Sequence, residues 1–174
     1  MKRITVLSTM VVSLMMLAVS ASRATGQFLV FENPLVGKAA PDFSLNTLSG
    51  EKMNFTKARS GQPVVVFFWA TWCPHCREQL KDLSAQAPAI EQKGIKLMLV
   101  DLGETKDQVQ RYAKKQGIQG NIFLDEESSV AEQYHIIGVP TFFFVDKTGV
   151  IKSVEHALPE DFEKILIDPA KKNP

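Results

Sequence analysis

The chain holds two cysteines, Cys73 and Cys76, set three positions apart in Trp72-Cys73-Pro74-His75-Cys76. On a helix that spacing puts two sulfurs one turn apart on the same side. They can close a disulfide, pass its electrons to another disulfide, or contribute to a metal site. A purely structural bridge is the plainest alternative, but it would close a loop of about four residues and so constrain the unfolded chain little. A tetrahedral zinc site needs two further ligands. His135 and His156 are the only other histidines besides His75, and neither stands in a paired ligand spacing. The pair is read as redox-active.

The flanking residues predict how the pair is held. Val64 to Trp69 is a short run of β-branched and aromatic residues, a strand buried on both faces and too short to cross a membrane. Leu80, Leu83, Ala87 and Ile90 follow at helical spacing, and Pro74 sits where a first-turn proline loses no hydrogen bond. Cys73 is therefore placed at a helix N-terminus, where free N–H groups and the helix dipole favour a thiolate. That makes Cys73 the expected nucleophile and Cys76, one turn in and more enclosed, the residue that resolves a mixed disulfide. His75 lies between them. As a proton carrier or N–H donor it adds positive character beside Cys73 and makes the disulfide more oxidising; otherwise it is a solvated turn residue. Trp72 is expected to cover one side of the pair, and Trp69 to pack. A helical bend is expected before Pro88. Farther along, Gly138-Val139-Pro140-Thr141 precedes the apolar run Phe142 to Val145, and a proline there fits a strand's first residue or an edge.

The remaining chain reads as one domain. Residues 1–26 have the basic head, apolar core and small-residue sites of a secretory signal peptide, expected to be cleaved rather than kept as an anchor. Residues 27–174 then form a single domain with a substantial core. Losing Lys2, Arg3 and Arg23 takes the 20 basic residues to 17 against 19 acids, a net charge of about −2. That balance gives no electrostatic reason to expect nucleic-acid binding. Gln27 to Lys38 is an extended lead-in, and Asp42 to Phe55 a hairpin turning at Ser49-Gly50. Ile95 to Leu102 is a second buried strand. Thr105 and Gln108 form a capping box for a helix through Val109, Tyr112 and Ala113 that Gly117 can close. Asn121 to Leu124 is a short strand, with Asp125 capping a helix that runs to about Tyr134. Two strands joined at Asp146 to Gly149, and a last helix starting at Pro159, complete an α/β pattern around a central mixed sheet covered on both faces. The tail Lys171 to Pro174 is expected to fray.

A strand ending in W-C-P-H-C, with V-P-T in front of another strand some 60 residues on, resembles the thioredoxin superfamily. The signal peptide, the A-A-P-D-F-S-L stretch at 39–45 and the block from Lys93 to Tyr134 resemble its exported TlpA/ResA-like branch, which inserts a strand–helix unit after the active-site helix. The resemblance covers about residues 36 to 168. It implies a thioredoxin-like fold and disulfide exchange with protein substrates, apocytochrome c among them. It also implies a cis Pro140 packed beside Cys73, with the Val139 backbone pairing with a substrate strand and Thr141 completing the loop. A periplasmic location or the outer face of the cytoplasmic membrane is expected, with a membrane or periplasmic redox donor or acceptor. A monomer is expected, with no metal and no cofactor beyond the Cys73–Cys76 disulfide.

Two departures from the family bear on mechanism. Phe67 stands where thioredoxins carry a buried Asp, and Gln79 where ResA-like reductases often carry a Glu, so a carboxylate assisting Cys76 is missing from both places. Glu78 should face solvent. The Pro-His dipeptide is similar to that of DsbA-like oxidants, which leaves a disulfide donor as one alternative to a reductase. A copper-binding maturation chaperone using the cysteines and a histidine is another. A peroxiredoxin is disfavoured, because Val66 and Ala70 occupy the positions of its Pro and Thr.

Overall fold

The computed structural model describes residues 32–118 and 120–167; the expected signal segment and the C-terminal tail lie outside them. A seven-stranded mixed sheet runs through the domain. Its strands are β1 (Ser44–Thr47), β2 (Lys52–Asn54), β3 (Val64–Trp69), β4 (Lys96–Leu102), β5 (Ile122–Asp125), β6 (Thr141–Val145) and β7 (Ile151–Glu155), in the spatial order β2-β1-β5-β4-β3-β6-β7. β3, β4 and β5 are parallel, whereas β6 pairs antiparallel with β3 and β7 with β6. The predicted hairpin is the β1–β2 pair, joined to the sheet through β5. This is the central mixed sheet with a strand–helix insertion that the sequence led us to expect.

Strand alternation divides the core into two layers. Val65, Phe67 and Trp69 pack with Leu99 of β4 on one face, together with α2 (Pro74–Gln92), α3 (Lys106–Gln116) and α5 (Phe162–Ile167). Val64, Val66 and Phe68 pack on the other with Met98 and Val100, and with α1 (Phe55–Arg59) and the region of α4 (Ser129–Gln133). Every residue of β3 is buried, as its uniform apolar character requires of a strand covered on both sides. Phe67, which replaces the family's buried Asp, stacks on Phe142 of β6 with ring centroids 4.3 Å apart.

Local signals set most element ends. Gln108 Oε1 accepts from the Thr105 backbone N–H at 2.9 Å, and Gly117 closes α3 at φ 65°. The Asp125 carboxylate accepts from the N–H groups of Val130 and Ala131. Three boundaries differ from expectation. The hairpin ends at Asn54, because Phe55 opens the unanticipated α1, whose Lys57 N–H donates to the Asn54 side chain. α2 continues through Pro88 to Gln92 as one helix, with the Ser84 hydroxyl donating to the Leu80 carbonyl. The last helix begins at Phe162 rather than Pro159, because Pro159 to Asp161 form a turn whose first carbonyl accepts from the Phe162 N–H.

The lead-in, expected to be extended, instead folds into turns over its described part, residues 32–38, closed by the Val36 N–H to the Asn33 carbonyl and the Lys38 N–H to the Leu35 carbonyl. It lies against the outer edge of β7. Gly37 and Ala40 donate to the carbonyls of Ile151 and Gly149, so this sheet edge is occupied. Tyr134 locks the same region from beneath. It is fully buried among Phe43, Phe68 and Phe143, and its hydroxyl donates to the Pro41 carbonyl at 2.7 Å. Burial pushes its phenol well above the ordinary range. Tyr134→Phe keeps the ring and strands the Pro41 carbonyl, so it is expected to destabilise the domain by about 1–2 kcal/mol. Urea denaturation should show this as a lower midpoint at unchanged m-value.

Candidate active site

The site forms where β3 ends and α2 begins. Ala70 closes the strand, Thr71 and Trp72 make the turn, and Cys73 is the N-cap of α2 with Pro74 in its first turn. Cys73 and Cys76 are joined in a disulfide with Cα atoms 5.3 Å apart. The Cys76 N–H donates to Cys73 Sγ at 3.1 Å, so one of the free first-turn amides of the helix is spent on the outer sulfur. Cys73 retains 4 % exposure and Cys76 none. The cysteine expected to attack is thus the one of the two that solvent reaches.

The second predicted stretch comes to the same place through sheet register. Thr141 at the start of β6 lies opposite Phe68 near the end of β3. The residues before Thr141 are therefore carried to the level of the cysteines. The Val139–Pro140 peptide bond is cis, and Cys73 Sγ lies 3.7 Å from the Val139 carbonyl oxygen. The loop is held from within and from β7's side. Thr141 Oγ1 donates to the Gly138 carbonyl at 2.7 Å, and His156 Nδ1 lies 2.9 Å from the Pro140 carbonyl, which it can meet as a donor.

His75 and Trp72 sit more openly than the cysteines. The His75 side chain is 83 % exposed, with Nδ1 3.6 Å from a carboxylate oxygen of Glu78, which faces solvent as expected. Trp72, expected to cover the pair, is 65 % exposed, so any cover it gives comes from a ring standing in water. Its partner in exposure is Ile137, 91 % exposed in the approach to Val139. One large apolar side chain therefore stands on each of the two loops that meet at Cys73. Gln79 serves the architecture: its Oε1 accepts from the Leu158 N–H at 2.8 Å and ties α2 to the segment before α5.

The turn that presents Cys73 is gripped from two sides. Glu104, after β4, accepts from the Thr71 N–H at 2.5 Å and from Thr71 Oγ1 at 2.6 Å. Arg77 Nε donates to the Thr71 carbonyl at 2.8 Å, and its guanidinium lies over the Tyr112 ring, which in turn packs against Trp69. Sequence reasoning missed Glu104, which follows a strand at a position that reads as loop.

It also missed Asp101. This residue lies opposite Trp69 on β4, fully buried, and by alternation on the Leu97–Leu99 face that carries the cysteine helix. As a carboxylate Asp101 has no donor to accept from on either oxygen, and the buried Trp69 Nε1 has no partner either. Burial, then the charge and hydrogen bonding of Glu104, then the charge of Glu126, push its carboxyl up to about 8. The available signal was a single acid inside the apolar run Ile95 to Leu102; charged residues are rarely buried without a partner. Among the described residues no three His, Cys, Asp or Glu side chains are grouped as a metal site would need.

Comparison with known proteins agrees with this geometry. Residues 36–154 match the model of the AhpC/TSA family. The chain is 33 % identical over 119 residues to the thiol-disulfide oxidoreductase ResA of Geobacillus thermodenitrificans, covering 68 % of each chain. It is 29 % identical to ResA of Geobacillus kaustophilus over 86 % of this chain and 85 % of that one. Among solved structures it is similar to StoA from Bacillus subtilis, with TM-score 0.61, 27 % identity, and coverage of 76 % of this chain and 96 % of that one. A thioredoxin-family thiol:disulfide interchange protein from Chlorobium tepidum gives TM-score 0.63 at 28 % identity, over 74 % and 92 % of the two chains. The chain belongs to the AhpC/TSA family of the thioredoxin superfamily, and with its relatives it is a thiol–disulfide oxidoreductase.

Proposed function

We propose that this protein is exported and reduces disulfides in protein substrates through Cys73 and Cys76, in the manner of a TlpA/ResA-like reductase. The observation that carries this reading is the disulfide at the N-terminus of α2 with Cys73 Sγ 3.7 Å from the Val139 carbonyl. In the reduced protein, Cys73 is the thiolate. The α2 N-terminus and the Cys76 N–H stabilise its charge. It attacks one sulfur of a substrate disulfide, and the other substrate sulfur leaves as a thiolate. Cys76 then loses its proton and attacks Cys73 Sγ, releasing the second substrate thiolate and forming the Cys73–Cys76 disulfide. Two electrons pass to the substrate, and a dithiol donor in the membrane or periplasm returns them. No cofactor beyond the disulfide enters the cycle.

The substrate is held as an extended segment along the Val139–Pro140–Thr141 loop, with Trp72 and Ile137 offering apolar contact on either side. The cysteines of apocytochrome c are a fitting substrate class, because they lie in an unfolded, accessible chain. The reverse direction, disulfide donation, is the second reading, and His75 is its only support. Val66, buried in the middle of β3, and Ala70, buried just after it, occupy the positions where a peroxiredoxin carries Pro and Thr.

Cys73→Ser should abolish insulin-disulfide reduction, and Cys76→Ser should accumulate mixed disulfides visible on non-reducing gels. Retained turnover in Cys73→Ser would overturn the assignment. The potential of the pair, set in glutathione buffers, reports direction: about −270 mV is thioredoxin-like and about −120 mV is DsbA-like. Because His75 is so exposed, His75→Ala is expected to lower that potential by no more than about 20 mV. A much larger fall would make His75 the main determinant and favour disulfide donation.

A further inference from the structure

A fully buried carboxyl with no partner as a charged group is an anomaly that a stable core does not retain without cause. Asp101 has a partner only when neutral, because its protonated oxygen can then donate to Glu104. Glu104 is already committed: each of its oxygens accepts from Thr71, two residues before Cys73. Asp101 lies opposite Trp69, four residues before Cys73, with adjacent strands about 4.8 Å apart. One acid thus grips the turn that presents the nucleophile, and the other lies directly behind the grip.

We propose that Asp101 and Glu104 form a one-proton acid pair, with Asp101 a positioning residue that links proton uptake to the redox state of Cys73–Cys76. The inference rests on the redox reading above. Its surroundings are one-sided. The charges that act on Asp101 are Glu104, in the loop after β4, and Glu126, in the loop after β5. From α3, Tyr112 faces Trp69, and from α2 the Arg77 guanidinium is taken up by the Thr71 carbonyl and the Tyr112 ring. The third neighbouring charge is the one that redox chemistry creates, on Cys73.

Reduction breaks the S–S bond with two electrons from a dithiol donor. It leaves a Cys73 thiolate and a Cys76 thiol, taking up one proton. The new negative charge opposes ionisation of Asp101, so its proton is held to higher pH in the reduced protein than in the oxidised one. Where Asp101 is ionised in the disulfide form and neutral in the dithiol form, reduction takes up a second proton, bound at Asp101. Conversely, ionising Asp101 places two carboxylates side by side, loosens the Glu104–Thr71 grip and disfavours the Cys73 thiolate.

The test is the rate of Cys73 alkylation by iodoacetamide against pH, in reduced wild type and in Asp101→Asn, with the reduction potential measured across the same range. The asparagine side chain keeps a donor toward Glu104 and cannot titrate, so the variant imitates the neutral state and preserves the grip. Wild type is expected to show two steps, the second at or above pH 8, and a change of slope in potential against pH near pH 8. Asp101→Asn should lose both and keep one thiolate step. A two-step profile that survives Asp101→Asn, or a single step in wild type up to pH 10, overturns the acid pair while leaving the redox reading intact. Absence of any reversible couple in wild type overturns both. Should Asp101→Asn not fold, wild type decides alone. An infrared band of a protonated carboxyl at pH 7, shifted by 13C-aspartate labelling, supports the pair, and its absence overturns it.

Discussion

The structure depends on β3 being paired along both edges. Its six residues lie against β4 in parallel register on one side, and five of them against β6 in antiparallel register on the other. With its backbone groups satisfied, the strand can be apolar on both faces and disappear into the core. That rigid rod ends at Ala70. The place where it stops positions the next residues: Thr71 and Trp72 turn, Cys73 caps α2, and the helix packs back over the face of Phe67 and Trp69 through Cys76, Leu80 and Leu83. The antiparallel direction of β6 does the second half. Because Thr141 is opposite Phe68, the loop preceding β6 has to arrive where β3 ends, and it brings Val139 and Pro140 to Cys73.

Two buried aspartates show how differently a fold can treat the same side chain. Asp125 accepts from two backbone N–H groups and the Ser129 hydroxyl, and so builds the turn into α4. Asp101, one strand away, is equally buried and has nothing to accept from. The first is a cap whose hydrogen bonds offset its desolvation. The second lies close behind the turn that carries the nucleophile, where natural sequences most often break the rules of polar satisfaction. The carboxyl missing at Phe67 is thus not simply absent from the region. Phe67 completes an aromatic stack with Phe142, and the acid stands one strand over, beside Trp69.

Around the disulfide the polar framework is dense, while the presented surface is apolar. Glu104 and Arg77 hold Thr71, Thr141 and His156 hold the cis-proline loop, and Gln79 ties the helix to the segment before α5. Trp72 and Ile137 are left in solvent on the loops so held. Rigid backbone with exposed apolar side chains suits exchange with an extended polypeptide: the backbone orients the partner, and the side chains tolerate many sequences.

Much of this was legible in the chain. The two cysteines, the first-turn proline, the apolar run before them and the helical spacing after them determined a redox pair at a helix N-terminus. The capping box at Thr105, the glycine at 117 and the turn at Asp146 to Gly149 set boundaries through interactions a few residues long. Such signals survive in sequence because helix and strand periods record which side of each element is buried. Tertiary structure alone decided what met across elements. Asp101 read as one residue of a buried strand until register placed it against Trp69, and Glu104 as loop until it closed on Thr71, 33 positions away. His156 showed no partner until β7 laid it against Pro140. Strand order fixes those pairings, and the sequence carries no local signal for contacts made between distant segments.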